Sequence, residues 1–133
     1  MKANPFEDLT VLVVDDEEFA LKLAGKALNA IGIGQVITAA EGQQALDLMA
    51  ETTEDIDLII SDINMPDMDG YAFARRVRYG VVPRFKNLPI LMLTGHDTEP
   101  NAQKARTHKI NGYIVKPAEK DKLETLIRQV IED

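Results

Sequence analysis

Residues 57–70 read DLIISDINMPDMDG, and the fold turns on how the apolar half of that stretch meets its polar half. Leu58, Ile59 and Ile60 form a short unbroken apolar run, the pattern of a strand buried on both faces of a parallel sheet. The run stops at Ser61 and Asp62, so a carboxylate stands where the strand ends. Open α/β folds place their ligand sites at that carboxyl edge. Pro66 fixes its own φ and restricts Met65, and Gly70 is expected to take backbone angles that a side chain would forbid. Asp62 is therefore expected on a stiff loop at the mouth of a site.

Outward from this stretch the chain alternates strand and helix. Leu9 to Val14 is a β-branched apolar strand ending in Asp15, Asp16, Glu17 and Glu18. Phe19 to Ala30 carries apolar residues at helical spacing, from Phe19, Leu21 and Leu23 to Leu28, and Gly32 stops it. Val36 to Ala39 is a second strand, and Ala40 to Ala50 a second helix with Glu41 near its positive end. Beyond the Asp62 loop, Tyr71 to Arg78 forms a short third helix with Ala72, Phe73, Ala74 and Val77 inward and Arg75, Arg76 and Arg78 outward or at its end, most simply a wet face. Residues 79–89 carry a glycine and two prolines and read as a loop. Ile90 to Leu93 is the fourth strand, closed by Thr94, Gly95 and His96. Pro100 to His108 is a largely polar fourth helix that depends on packing. Gly112 to Val115 is the fifth strand, ending at Lys116 and Pro117, and Leu123, Leu126, Ile127, Val130 and Ile131 mark an amphipathic last helix.

Composition excludes several classes. A chain of 133 residues, 45% hydrophobic, suits one domain over residues 1–133. With no cysteine there is no disulfide framework, thiolate metal site or cysteine nucleophile. No apolar run reaches the ~20 residues of a membrane span, and the amino end lacks a signal-peptide core, so a cytoplasmic protein away from the membrane is expected. The net charge of −7 has the wrong sign for direct nucleic-acid binding.

Strands alternating with helices pair in parallel through right-handed crossovers, so all five strand ends point one way. Asp15, Asp16, Asp62, Thr94 and Lys116 then meet at one edge. Three carboxylates within about 4 Å would repel by roughly 4 kcal/mol per pair at an effective dielectric near 20. They call for a cation. An all-oxygen set suits a hard ion such as Mg²⁺, which commonly also binds phosphate oxygens. Lys116 and the Thr94 hydroxyl are suited to a second negative group beside it. A phosphoryl group fits that description.

The stretches VLVVDDEE, LIISDINMPDMDG, PILMLTG and GYIVKP, in that order along essentially the whole chain, resemble the receiver domain of two-component response regulators, especially the stand-alone chemotaxis type. The resemblance implies a three-layer, flavodoxin-like (βα)5 α/β fold with a five-stranded parallel sheet of order 2-1-3-4-5. It implies Asp62 as phosphoacceptor, Asp15 and Asp16 with Asp62 as Mg²⁺ carboxylates, and the Asn64 backbone carbonyl as a further ligand. Thr94 matches the switch hydroxyl, Lys116 the phosphate-pairing lysine and Tyr113 the switch aromatic. The side chains of Asn64 and His96 flank the path of the hydrolytic water, and the bond before Pro117 is cis in the family. The implied partners are a sensor histidine kinase or phosphotransfer protein and a downstream protein target, with a monomer expected before phosphorylation. The face of the fourth helix, fifth strand and fifth helix would change shape, with partner contacts among Ala102, Ala105, Tyr113, Val115 and Lys122.

Taken singly these residues have plainer roles. Asp15 and Asp16 serve equally well as helix caps, Thr94 as a strand terminus and Lys116 as a surface charge, while Tyr113 suits a core or a switch equally. His96 and His108 suit solvent better than metal, and Gly32 with Gly34 lacks phosphate-loop spacing. Convergence at one edge decides for a site. A phosphoester hydrolase would want an acid/base two residues after Asp62, where Asn64 stands. A phosphorylation-independent binding module would show a lost acidic or lysine position, and all are present.

Overall fold

A computed structural model describes residues 5–95 and 102–132. It contains five parallel strands, β1 (Thr10–Val14), β2 (Gln35–Ala39), β3 (Leu58–Asp62), β4 (Ile90–Thr94) and β5 (Gly112–Val115). They alternate with α1 (Glu18–Ile31), α2 (Gly42–Glu51), α3 (Gly70–Tyr79), α4 (Ala102–Thr107) and α5 (Lys120–Glu132). The sheet order is β2-β1-β3-β4-β5, the flavodoxin-like order implied by the sequence. No helix among the described residues is long and apolar enough to cross a membrane.

The continuous apolar strands lie in the middle. Every residue of β1, β3 and β4 is buried, whereas β2 and β5 are edge strands with exposed positions. Side chains alternate across the sheet with period two. Leu12, Ile59, Ile90 and Met92 therefore pack toward Ala45 and Met49 of α2 and Phe73 and Val77 of α3. Val11, Val13, Leu58, Ile60, Leu91 and Leu93 pack on the other face, against Ala24 and Leu28 of α1 and Leu123 and Ile127 of α5. A parallel sheet covered by helices on both faces takes such unalternating strands out of water completely.

Local chemistry sets the element ends. Gly32 and Gly80 take left-handed φ values of 102° and 83° and close α1 and α3. Asp69 opens α3, its Oδ1 accepting from the Ala72 N–H at 2.8 Å. Gly70 differs from expectation: the left-handed residue of this loop is Asp67, at φ 68°. Gly70 is needed for space, because a Cβ there would collide with the Asp62 carbonyl oxygen. Its N–H donates to the Ile63 carbonyl at 2.7 Å, which pins the start of α3 to the end of β3.

Two further details correct the sequence reading. The apolar stripe of α1 does not bury its first turns: Phe19 is 73% and Leu23 36% exposed, and the buried seam is Ala24, Leu28 and Ile31. Residues Pro83–Phe85 of the expected loop form a 3₁₀ turn that buries Phe85.

Candidate functional site

The strand register places the site. Val14 pairs with Ser61, Asp62 with Leu93 and Thr94 with Val115, so Asp15, Asp62, Thr94 and Lys116 come to one edge of the sheet. Asp15 is fully buried, Asp62 is 5% exposed, and Asp16 is exposed. Each offers a carboxylate oxygen within 4.8 Å of the other two. Asp15 also shapes its own turn, Oδ1 accepting from the Glu17 N–H at 3.0 Å. It therefore braces the entry to α1 and faces the site at once.

Lys116 reaches into this cluster from the end of β5. Its Nζ lies 2.9 Å from Asp15 Oδ2, 3.4 Å from Asp62 Oδ2 and 3.3 Å from Glu17 Oε1. The Asp15 contact is the shortest of the three and joins the ammonium to a fully buried carboxylate. The sequence reading gave Glu17 no role of its own; its reach to Lys116 spans 99 positions of chain and has no local signature. The peptide bond between Lys116 and Pro117 is cis.

Charge is unevenly compensated here. Burial, and then the charge of Asp15, push the Asp62 carboxyl up to about 6, with Lys116 and the Asn64 backbone N–H pulling the other way. For Lys116, burial disfavours the ammonium, but its contacts with Asp15 and the charge of Asp62 outweigh burial and raise its pKa. One ammonium thus serves several carboxylates, and Asp62 bears the deficit.

Thr94 is 1% exposed, and its Oγ1 has no hydrogen-bond partner among the described residues. A buried hydroxyl in that condition gives up about 1–3 kcal/mol unless something satisfies it. Tyr113 is half-buried on β5, and its hydroxyl lies 2.8 Å from that of Tyr71 on α3. Burial and this hydrogen bond raise the Tyr113 pKa. Asn64 is exposed beside the cluster. His96 and the side chain of Ala102 lie outside the described residues. Of the expected partner-contact residues, Tyr113, Val115 and Lys122 line a groove of about 530 Å³ between β5 and α5, and Ala105 is half-buried on α4.

The chain matches the family model described as response regulator receiver domain over residues 11–128. It is 33% identical over 124 residues to the probable chemotaxis protein CheY of Rhizobium etli, covering 93% of each chain. It is 32% identical over 123 residues to the two-component response regulator ARR12 of Arabidopsis thaliana, but spans only 20% of that longer protein. The solved structure of Vibrio cholerae chemotaxis protein CheY4 superimposes with a TM-score of 0.80 at 34% identity, covering 92% of this chain and 98% of the other. Acidic strand ends, a lysine after the last strand and this breadth of similarity lead to one conclusion: the chain belongs to the response regulator receiver domain family of two-component systems.

Proposed function

We propose that the chain is a phosphoryl-accepting switch, a single receiver domain in which Asp62 takes the group from a phosphohistidine of a sensor kinase or phosphotransfer protein. The observation that carries this reading is the Asp62 environment: a nearly buried carboxylate 3.4 Å from Lys116 Nζ, clustered with Asp15 and Asp16 and near the unpartnered Thr94 hydroxyl. The carboxylates outnumber the ammonium, and no histidine or cysteine joins the cluster among the described residues. That donor set fits a hard divalent cation such as Mg²⁺. Asp15, Asp16, Asp62 and the Asn64 carbonyl would hold it. When bound, Mg²⁺ supplies positive charge that offsets the negative charge gathering on the phosphoryl oxygens in flight.

The chain's own residues do the rest. Asp62 Oδ attacks phosphorus in line; the new P–O bond forms as the P–N bond breaks, and its electron pair returns to the imidazole nitrogen. The stiff loop from Ile63 to Gly70 keeps the attacking oxygen in place, so little orientational freedom is lost in the step. Lys116 is close enough to exchange a carboxylate contact for a phosphoryl oxygen, and the Thr94 hydroxyl gains an acceptor. Movement of Thr94 frees space for the Tyr113 ring, and the face of α4, β5 and α5 changes shape for a downstream protein. Attack by an in-line water then breaks the P–O bond to Asp62, releases inorganic phosphate and restores the carboxylate, with Asn64 beside its path.

The test is intact mass after incubation with acetyl phosphate and Mg²⁺. A single labile phosphoryl adduct, lost in Asp62→Asn and after chelation, is the expected result. A folded protein that stays unmodified throughout would remove the proposal.

A further inference from the structure

The basic residues of this acidic chain are not spread evenly. Between Arg75 and Lys109 stand eight Lys and Arg residues against two Asp and Glu, a local charge of +6. The remaining chain has seven against twenty, or −13. In space the basic side gathers on α3, the 3₁₀ turn and the end of α4. Arg75, Arg76, Lys86, Arg106 and Lys109 are exposed there, and none forms an ion pair with a carboxylate among the described residues. The patch also contains the most exposed aromatic side chain described, Tyr79 at 77%, and Val81 at 56%. The Arg75 guanidinium lies 5.6 Å from the Tyr79 ring centroid.

This surface has shape and a rigid floor. One concavity of about 470 Å³ has Arg75, Arg78, Tyr79, His108 and Lys109 among its walls. A second, of about 350 Å³, lies beyond Tyr79 and shares Arg75 with the first. Arg78 is not the free surface arginine expected from the sequence. Its Nε donates to the His108 carbonyl at 3.0 Å, Nη1 to Lys86 at 2.9 Å and Nη2 to Lys109 at 2.9 Å. It bolts the carboxyl end of α4 to α3 and has few donors left for a ligand. The positive field is felt inside the patch: burial, then Arg75 and Lys104, lower the His108 pKa.

We propose that this α3–α4 surface docks an acidic polypeptide segment of a partner protein, its carboxylates meeting Arg75, Arg76 and Lys109 and one apolar side chain covering Tyr79 and Val81. Charge complementarity sets the sign of the partner. The exposed ring and its flanking concavities fit an extended chain with a central anchor, since aromatic and Arg side chains are the usual energetic centres of interfaces. A small anion is a poorer occupant, because the best-fixed guanidinium has spent its donors on carbonyls. A nucleic-acid strand is poorer too, because a long polyanion is repelled by a chain whose net charge is −7. The inference does not depend on Asp62 chemistry.

The test titrates the ¹⁵N-labelled full chain with a short synthetic peptide of alternating Asp and Glu around one Leu, in parallel with a poly-thymidine strand and with phosphatidylserine vesicles. Expected are amide shifts confined to residues 75–81 and 106–109, and binding about tenfold weaker at high salt. Arg75→Glu with Lys109→Glu should weaken it about tenfold or more, and Tyr79→Ala by about threefold or more. Arg76→Glu alone repeats the charge test if the double variant misfolds. Shifts elsewhere, no binding, indifference to charge reversal, tighter binding to the strand or vesicles, or self-association that accounts for the shifts would each overturn the proposal.

Discussion

Replacing Asp62 by Asn should make the metal-free protein more stable. The Asp62 carboxyl titrates at about 6 in the folded chain against 3.8 for an unperturbed group. At about 1.36 kcal/mol per pH unit, a rise of roughly two units corresponds to about 3 kcal/mol. The sign follows from proton binding. The folded state holds this proton more tightly than the unfolded state, so ionising Asp62 costs the native fold. That cost is absent below about pH 4, accumulates as pH rises toward about 6, and is constant above it. Asn keeps the shape and carries no charge. Urea denaturation in chelator at about pH 7 should place Asp62→Asn about 3 kcal/mol above the parent, and at about pH 4 the gap should fall below about 1 kcal/mol. Because the pull of Lys116 is already contained in the raised value, its loss needs no separate correction. Saturating Mg²⁺ should close the gap from the other side, since a ligand at a hundredfold its Kd stabilises by about 2.7 kcal/mol. Equal or lower stability of the variant at neutral pH, or a gap unchanged by acid, would refute the charge-deficit account of the site.

Mg²⁺ affinity, followed by calorimetry, should be flat above about pH 7 and weaken as pH falls through about 6, because the proton competes for ionised Asp62. Lys116→Met should destabilise the metal-free protein by about 3 kcal/mol in denaturant melts, as fully buried Asp15 loses its 2.9 Å counter-charge. Gly70→Ala should cost about 2 kcal/mol or more and shift the Asp62 and Ile63 amide resonances, since the added Cβ meets the Asp62 carbonyl. Tyr71→Phe should leave acetyl phosphate uptake intact but alter the binding contrast between phosphorylated and unphosphorylated forms, because it removes the 2.8 Å tie on Tyr113.

The sheet was legible because its central strands are buried on both faces: LII and ILML have no polar position to misread. The candidate site was legible because its groups sit where such runs end, and parallel pairing brings the ends together. Contacts between distant elements were not legible. Glu17 lies beside Asp16 in sequence, yet its partner is Lys116, 99 positions away at the end of β5. Arg78 reads as one of three solvated arginines, and only the approach of the α4 end turns it into a structural tie. Phe19 keeps helical spacing with Leu23 but lies ahead of the place where α1 meets the sheet, so spacing alone buried it wrongly. Gly70 was recognised as necessary for the wrong reason, since clearance from a neighbouring carbonyl leaves no mark in a single strand of text.

The hydroxyl pair of Tyr71 and Tyr113 has an optical consequence. The chain has three tyrosines and no tryptophan, so its near-ultraviolet absorption and emission come almost entirely from phenols. Tyr79 stands in water and supplies a constant background, while the other two share a single hydrogen bond across α3 and β5. Any rotation of the Tyr113 ring exchanges a phenol partner for solvent or for a protein acceptor. The molecule therefore carries its own label-free gauge of that ring, readable in a cuvette without a dye, a tag or a partner.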